Sequence, residues 1–242
     1  PPPVSFTAGD TAFLTYTSGT TGPPKGAMNT HGNVVFTSQA YATWCGLGDD
    51  EVVLGIAPLF HITGLIAHVT LAQYLAAPLV LFHRFEPSLG VDVIREHRPT
   101  LTVGAITVFI ALMNAPNADR EALASLRTIC SGGAPIPPST VTAFHEAFGL
   151  WIHNIYGLTE TYGNCNVTDG RLDPRDKVFS TIGRPVDGVI QRIADPQTMQ
   201  PLPTGEIGEI QLKRYVTMGY YKDEDKNREA FTDDGYFRTG DL

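Results

Sequence analysis

Cysteine is scarce in this sequence, with Cys45, Cys130 and Cys165 the three in 242 residues. They stand far apart and form no CxxC pair, which excludes a disulfide framework and a zinc-ribbon site. Free thiols in a reducing cytoplasm are expected. Basic charge is also short: 17 Lys and Arg stand against 25 Asp and Glu, a formal net charge of -8. Without a basic run the chain has no electrostatic footprint for a phosphate backbone, so no nucleic-acid partner is expected. Long apolar runs are missing too. The most apolar stretch, Gly64 to Phe82, is interrupted by His68, Thr70, Gln73 and Pro78. It reads as a buried helix followed by a strand, not as a transmembrane segment. His145-Glu146 starts a zinc-protease pattern, but Gly149 stands where the second histidine belongs. No Ser-His-Asp set is evident.

What is present is apolar content of 43%, enough for one large domain or two smaller ones. Thr11 to Thr17 alternates like a strand, and Ala27 to Thr30 reads as its return. Asn33 is the expected cap of a helix from Val34 to about Trp44. An alternating series follows. Strands are expected at Val52–Ala57, Leu79–Phe82, Leu101–Val103, Arg127–Cys130 and Trp151–Tyr156. Helices are expected at Ile62–Ala76, Pro87–His97, Thr107–Asn114, Arg120–Leu126 and Ser139–Phe148. Short apolar strands between helices predict an α/β fold with a mostly parallel sheet and helices on both faces. After about Arg175 the texture turns to strands at Val189–Ile193 and Glu206–Lys213, with one helix at Glu224–Ala230. The expected organisation is an α/β subdomain over residues 1–175 and a small β-rich, partial-barrel subdomain over residues 176–242. The Pro1-Pro2-Pro3 start and the Asp241-Leu242 end suggest cuts in a longer protein.

Ligands of open α/β sheets bind beyond the carboxyl ends of the strands. Pro58-Leu59-Phe60-His61, Ser131-Gly132-Gly133-Ala134-Pro135 and Gly157-Leu158-Thr159-Glu160 all follow predicted strands there. The earlier loop Thr17-Ser18-Gly19-Thr20-Thr21-Gly22-Pro23-Pro24-Lys25-Gly26 combines glycines, hydroxyls and one lysine. Glycines let backbone N–H groups converge on phosphate oxygens. The spacing departs from a Walker A loop, because Gly22 lies three residues before Lys25 and Gly26 follows it.

This loop resembles the signature of the adenylate-forming superfamily, which includes acyl-CoA synthetases, firefly luciferase and peptide-synthetase adenylation domains. Five further segments resemble that family's motifs in its order. They are Pro58-to-Gly64, Ser131-to-Pro135, Tyr156-to-Glu160, Gly205-to-Ile210 and Tyr236-to-Leu242. The resemblance implies a two-step reaction. A carboxylate attacks the α-phosphate of ATP to give acyl-AMP and pyrophosphate, and a thiol, usually of coenzyme A, displaces AMP. It implies that Thr17, Ser18, Gly19, Thr20, Thr21, Gly22 and Lys25 hold the β- and γ-phosphates. Tyr156 would stack on adenine, with Gly133, Ala134 and Gly157 in the same slot and Asn154 at the adenine edge. Thr159 would contact the α-phosphate, Glu160 would bind Mg²⁺, and Asp241 would accept hydrogen bonds from the ribose. His61, with Gly132 and Gly133, would lie on the acyl side, His61 as a gate towards the thiol.

The chemistry agrees with these roles. Attack at phosphorus needs in-line positioning and charge neutralisation more than a base. Mg²⁺ takes one or two carboxylates plus phosphate oxygens, which suits a single Glu160. Amino-acid-activating relatives usually carry an aspartate in the acyl motif, but Phe60-His61-Ile62-Thr63 has none. Burying an unpaired ammonium is costly, so a fatty or aryl acid is expected. Val108, Phe109, Met113 and Ile136 are candidate wall residues. Two departures from the family pattern fall in the β-rich part: Arg214-Tyr215 and Met199 stand where glycines are common. The resemblance also implies a parent about twice as long, whose C-terminal domain carries a further lysine, so that this chain alone adenylates poorly. A carrier-protein-loading adenylation module and a non-catalytic nucleotide binder are the competing functions.

Overall fold

The computed structural model describes residues 4–17, 23–168 and 174–242. Three sheets organise them. The largest has seven strands in the order β4-β3-β5-β6-β7-β8-β9. Its strands are β3 (Val53–Gly55), β4 (Leu79–Leu81), β5 (Leu101–Gly104), β6 (Thr128–Ser131), β7 (Ile152–Tyr156), β8 (Asn166–Val167) and β9 (Arg184–Pro185). β3 to β7 run parallel, and β8 and β9 add on antiparallel.

Helices cover both faces, and the side-chain alternation of the strands explains why. Val53, Leu101, Val103 and Cys130 face one apolar layer with Tyr41, Ile66 and Leu71. Leu54, Ile129 and Ile152 face another with Val91, Ile94, Phe109, Leu123 and Phe144. The first layer is built by α1 (His31–Cys45), a π-helix (Gly64–Thr70) and α2 (Leu71–Leu75). The second is built by α3 (Pro87–His97), α4 (Ile106–Met113) and α5 (Pro138–Phe148).

Local chemistry sets the helix ends. Pro87 is preorganised for the first turn of α3, and the Glu86 carboxylate accepts from Ser88 N and Leu89 N. Gly46 and Gly149 close α1 and α5 in the left-handed region. Three expectations are corrected. Thr30, not Asn33, caps α1, its Oγ1 accepting from Asn33 N at 3.2 Å. Residues 120–125 form turns instead of a helix. The helix expected from Ile62 does start there, but it is wound as a π-helix over Gly64–Thr70 before it continues as α-helix from Leu71.

The remaining sheets are small. β1 (Thr11–Thr17) and β2 (Lys25–Thr30) form an antiparallel hairpin around the glycine-rich loop. β10 (Ile190–Ala194), β11 (Glu209–Lys213) and β12 (Phe237–Arg238) form an antiparallel sheet. After the short helix α6 (Arg175–Ser180), Tyr220, just before α7 (Glu224–Ala230), bridges to Ala27 of β2. That bridge ties the C-terminal part to the hairpin. Cys45, Cys130 and Cys165 are free, with Cys45 Sγ and Cys130 Sγ 3.9 Å apart. Among the described residues no helix is long and apolar enough to cross a membrane.

Candidate active site

A cavity of about 1200 Å³ opens at the carboxyl ends of β3, β5, β6 and β7. Each strand feeds it with the segment that follows: Ile56–Thr63 after β3, Ala105 after β5, Gly132–Ile136 after β6 and Gly157–Glu160 after β7. The hairpin adds Thr17, Pro23 and Lys25, and Thr239 and Asp241 arrive from beyond β12. Thr17, Lys25, His61, Gly132, Gly133, Ala134, Asn154, Tyr156, Gly157, Thr159, Glu160 and Asp241 therefore share one cavity. Ser18, Gly19, Thr20, Thr21 and Gly22 lie outside the described residues.

The turn after β6 needs its glycines. A β-carbon on Gly132 would sit 2.4 Å from the Ile155 carbonyl oxygen, so the close approach of β6 to β7 forbids a side chain. Gly133 has φ +80°, left-handed backbone that a side chain strains.

Tyr156 ends β7, and its hydroxyl donates to Asp241 Oδ2 at 2.6 Å. Asp241 is in turn fixed through the main chain, its carbonyl accepting from Ile210 N at 2.9 Å. Burial, then the hydrogen bond to Asp241, push the Tyr156 phenol well above its usual range, so it remains a donor. The Asn154 side chain donates to Thr181 O at 2.9 Å, which draws the 180–182 segment against the cavity. Thr17 Oγ1 is buried and, among the described residues, has no hydrogen-bond partner.

Glu160 is 6% exposed and faces the cavity from the short turn Thr159–Thr161. Its Oε1 accepts from Tyr220 Oη at 2.7 Å. Lys25 Nζ lies 4.5 Å from the centre of the same tyrosine ring. Among the described residues no group of three or more metal-ligating side chains occurs. A cation on Glu160 would therefore complete its shell mainly with phosphate oxygens and water. The charges of the lining favour such an ion. Lys25 and Lys226 stand against Glu160, Asp223 and Asp241, so the described lining does not itself neutralise a polyphosphate.

His61 sits at the rim of the cavity, where Thr63 N donates to its Nδ1 at 3.2 Å. That bond makes Nδ1 the acceptor, so the neutral ring carries its hydrogen on Nε2. Partial burial holds the imidazole below its ordinary value of 6.5. Of the four candidate wall residues, Val108 and Ile136 line the cavity. Phe109 and Met113 do not: Phe109 is fully buried edge-on against Phe144, and Met113 packs on the same layer. Sequence reading missed Tyr220, Lys226, Thr239 and the 180–182 segment. Met218-Gly219-Tyr220-Tyr221 has no ligand pattern of its own, and main-chain bonds of residues 217–221 to β2 and to Glu160 bring it to the site.

Comparison with known proteins shows the family. The family model described as AMP-binding enzyme matches residues 1–221. The chain is 36% identical over 232 residues to a sulfoacetate–CoA ligase of Cupriavidus necator, covering 96% of this chain and 44% of that protein. It is 35% identical over 244 residues to a feruloyl-CoA synthase of an Amycolatopsis species, covering 100% and 48%. It superimposes on the O-succinylbenzoate coenzyme A synthetase of Bacillus subtilis, solved with ATP and magnesium, with TM-score 0.86 and 30% identity, covering 97% and 47%. The chain spans about half the length of these relatives. With the matched region running through the hairpin, the large sheet and the cavity between them, the chain belongs to the AMP-binding enzyme family.

Proposed function

We propose that this chain forms the ATP- and acid-holding part of an enzyme that activates a carboxylic acid as acyl-AMP and passes the acyl group to coenzyme A. The observation that carries this reading is the single cavity shared by Thr17, Lys25, the 132–136 turn, the 154–160 segment and Asp241. In it, Tyr156 provides a ring for adenine and Asp241 accepts from the ribose hydroxyls. Their mutual hydrogen bond preorganises the two contacts. Lys25 and Thr17 face the β- and γ-phosphates, and Thr159 the α-phosphate. Glu160 holds Mg²⁺, which when bound neutralises phosphate charge. The substrate carboxylate, already ionised at pH 7, forms the new bond to the α-phosphorus as the bond to pyrophosphate breaks. The chain's residues need only align the two ends and offset charge. His61, neutral and near the acid end, stands where the thiol would approach.

The lining also supports a reading of the acid. The carboxylates Glu160 and Asp241 belong to the nucleotide contacts, and Asp223 lies at the start of α7. Ile56, Val103, Val108 and Ile136 supply the described lining with apolar surface for the acyl group. An ammonium or a second anion on the substrate would be costly to desolvate against it. We therefore assign a fatty or aryl acid. The chain covers about half of its relatives, and we expect it to bind Mg·ATP but to exchange pyrophosphate poorly by itself.

Calorimetric titration tests the reading. Lys25→Ala removes a charge-assisted contact and is expected to weaken Mg·ATP binding by roughly tenfold or more. Equal binding by wild type and variant would contradict the role of Lys25. Fast acid-dependent ATP–pyrophosphate exchange by the chain alone would contradict the expected impairment.

A further inference from the structure

Glu160 and Lys25 are the two charged side chains that the phosphate end of the cavity most needs. Opposite charges so placed tend to pair and cancel. Here they do not, because a tyrosine stands between them. The Tyr220 hydroxyl donates to Glu160 Oε1 at 2.7 Å, and Lys25 Nζ sits 4.5 Å from the centre of the Tyr220 ring. Among the described residues Lys25 makes no ion pair. A cation over a ring face is held electrostatically but stays available to an anion.

Tyr220 is itself held from three sides. It is 5% exposed and bridges to Ala27 of β2. Asn227 of α7 accepts from Tyr220 N at 2.6 Å and donates to Tyr220 O at 3.0 Å. Thr217 N, three residues upstream, donates to the Glu160 carbonyl at 2.6 Å. Ring, carboxylate and lysine are thus tied to one another through main chain as well as side chains. Burial and the Glu160 charge push the Tyr220 phenol well above its usual range, which keeps it a donor.

We propose that Tyr220 is a positioning residue that occupies one oxygen of Glu160 and keeps Lys25 from pairing with it, so that a carboxylate oxygen for the metal and a cation for phosphate remain available together. This rests on reading the cavity as an Mg·ATP site. Nothing in the two-step chemistry itself calls for a tyrosine here; the geometry does.

The test is calorimetric titration of the chain with ATP over a range of Mg²⁺ concentrations, with circular dichroism to verify the fold of each variant. Tyr220→Phe keeps the ring and removes the donor. It is expected to raise the Mg²⁺ concentration for half-maximal ATP binding by about tenfold, the loss of one hydrogen bond to a charged group. Metal-free ATP affinity should stay within about twofold, since the ring under Lys25 is intact. Tyr220→Leu removes the spacer as well, and metal-free affinity should also fall as Lys25 moves onto Glu160. Adding Glu160→Gln to Tyr220→Leu should restore that metal-free affinity, because no carboxylate is left to capture the lysine. A merely structural tyrosine would give neither the split nor the rescue. Unchanged Mg²⁺ dependence in Tyr220→Phe overturns the proposal, and that variant decides alone if Tyr220→Leu does not fold. Wild-type chain that shows no Mg²⁺-dependent ATP binding overturns the Mg·ATP reading, and this inference with it.

Discussion

Mild acid should loosen the wall of the cavity through one buried histidine. His68 lies in the π-helix and is fully buried, with Nε2 2.9 Å from Val103 O. The carbonyl can only accept, so Nε2 carries the hydrogen. Nδ1 is buried and has no partner among the described residues. A second proton would therefore create an unpaired donor and a charge inside an apolar layer. Burial accordingly holds the His68 pKa down at about 4, against an ordinary 6.5. The unfolded chain binds this proton at higher pH than the folded one, so stability falls as pH drops through 6.5 towards 4. With those two values the loss relative to pH 8 is on the order of 1 kcal/mol at pH 5.5 and roughly 2 kcal/mol at pH 4.5. Val103 leads directly into Gly104 and Ala105 of the cavity lining, so the site should loosen with the fold. Urea unfolding at pH 8, 5.5 and 4.5 measures this. His68→Gln keeps an N–H for Val103 but cannot titrate. The variant should lose about 2 kcal/mol less than wild type between pH 8 and 4.5. His61 is held below its usual value in both proteins, so it cancels in the comparison. Parallel curves for the two proteins would refute the argument.

Two other substitutions test the backbone around the site. Gly132→Ala places a β-carbon against the Ile155 carbonyl, a main-chain clash that the β6–β7 pairing cannot relieve by rotating a side chain. A stability loss of about 2 kcal/mol or more in urea unfolding is expected, and a loss under about 0.5 kcal/mol would show that the turn can shift. Arg214 has φ 66° after β11, a left-handed conformation without glycine. Arg214→Gly should stabilise the chain by about 0.5–1 kcal/mol by thermal or urea unfolding, the relieved strain outweighing the added chain entropy, and destabilisation would contradict the strain.

Much of the fold was legible because local chemistry and packing agree. Pro87 at the start of α3, Glu86 before it and His97 in its last turn bracket a helix that forms between the predicted bounds. The alternation of Val53 and Leu54 to opposite layers follows from a short apolar strand sandwiched by helices. The reading failed where tertiary contact overrode local signals. Asn33 has the composition of a cap, but its side chain donates to Tyr162 Oη and to Val216 O, both remote in sequence. The 120–125 segment starts as a helix should, with Asp119 Oδ1 accepting from Ala122 N. It then closes i→i+3 turns, as Leu123 and Leu126 are both buried in the second layer. The π-helix has no local signature. It begins at Gly64, where a β-carbon would sit 2.2 Å from the Pro58 carbonyl oxygen, a packing constraint invisible in one dimension. At Met199 and Arg214-Tyr215, where glycines are common in the family pattern, the chain keeps positive φ without glycine.

At the site, motif residues were legible one by one because each loop carries glycine and polar residues at a strand end. Their convergence followed from the parallel order of β3, β5, β6 and β7. Tyr220 was not legible, since its role depends on a bridge between residues far apart in the chain.

The central claim is that one cavity holds a nucleotide at one end and an uncharged acyl tail at the other. Calorimetric binding of non-hydrolysable acyl-sulfamoyl adenosines to this chain tests it most directly. A fatty or aryl analogue should bind at least about tenfold tighter than an aminoacyl analogue of similar size, because an ammonium is costly to desolvate against the apolar acyl end. No saturable binding, or tighter binding of the aminoacyl analogue, would contradict the account.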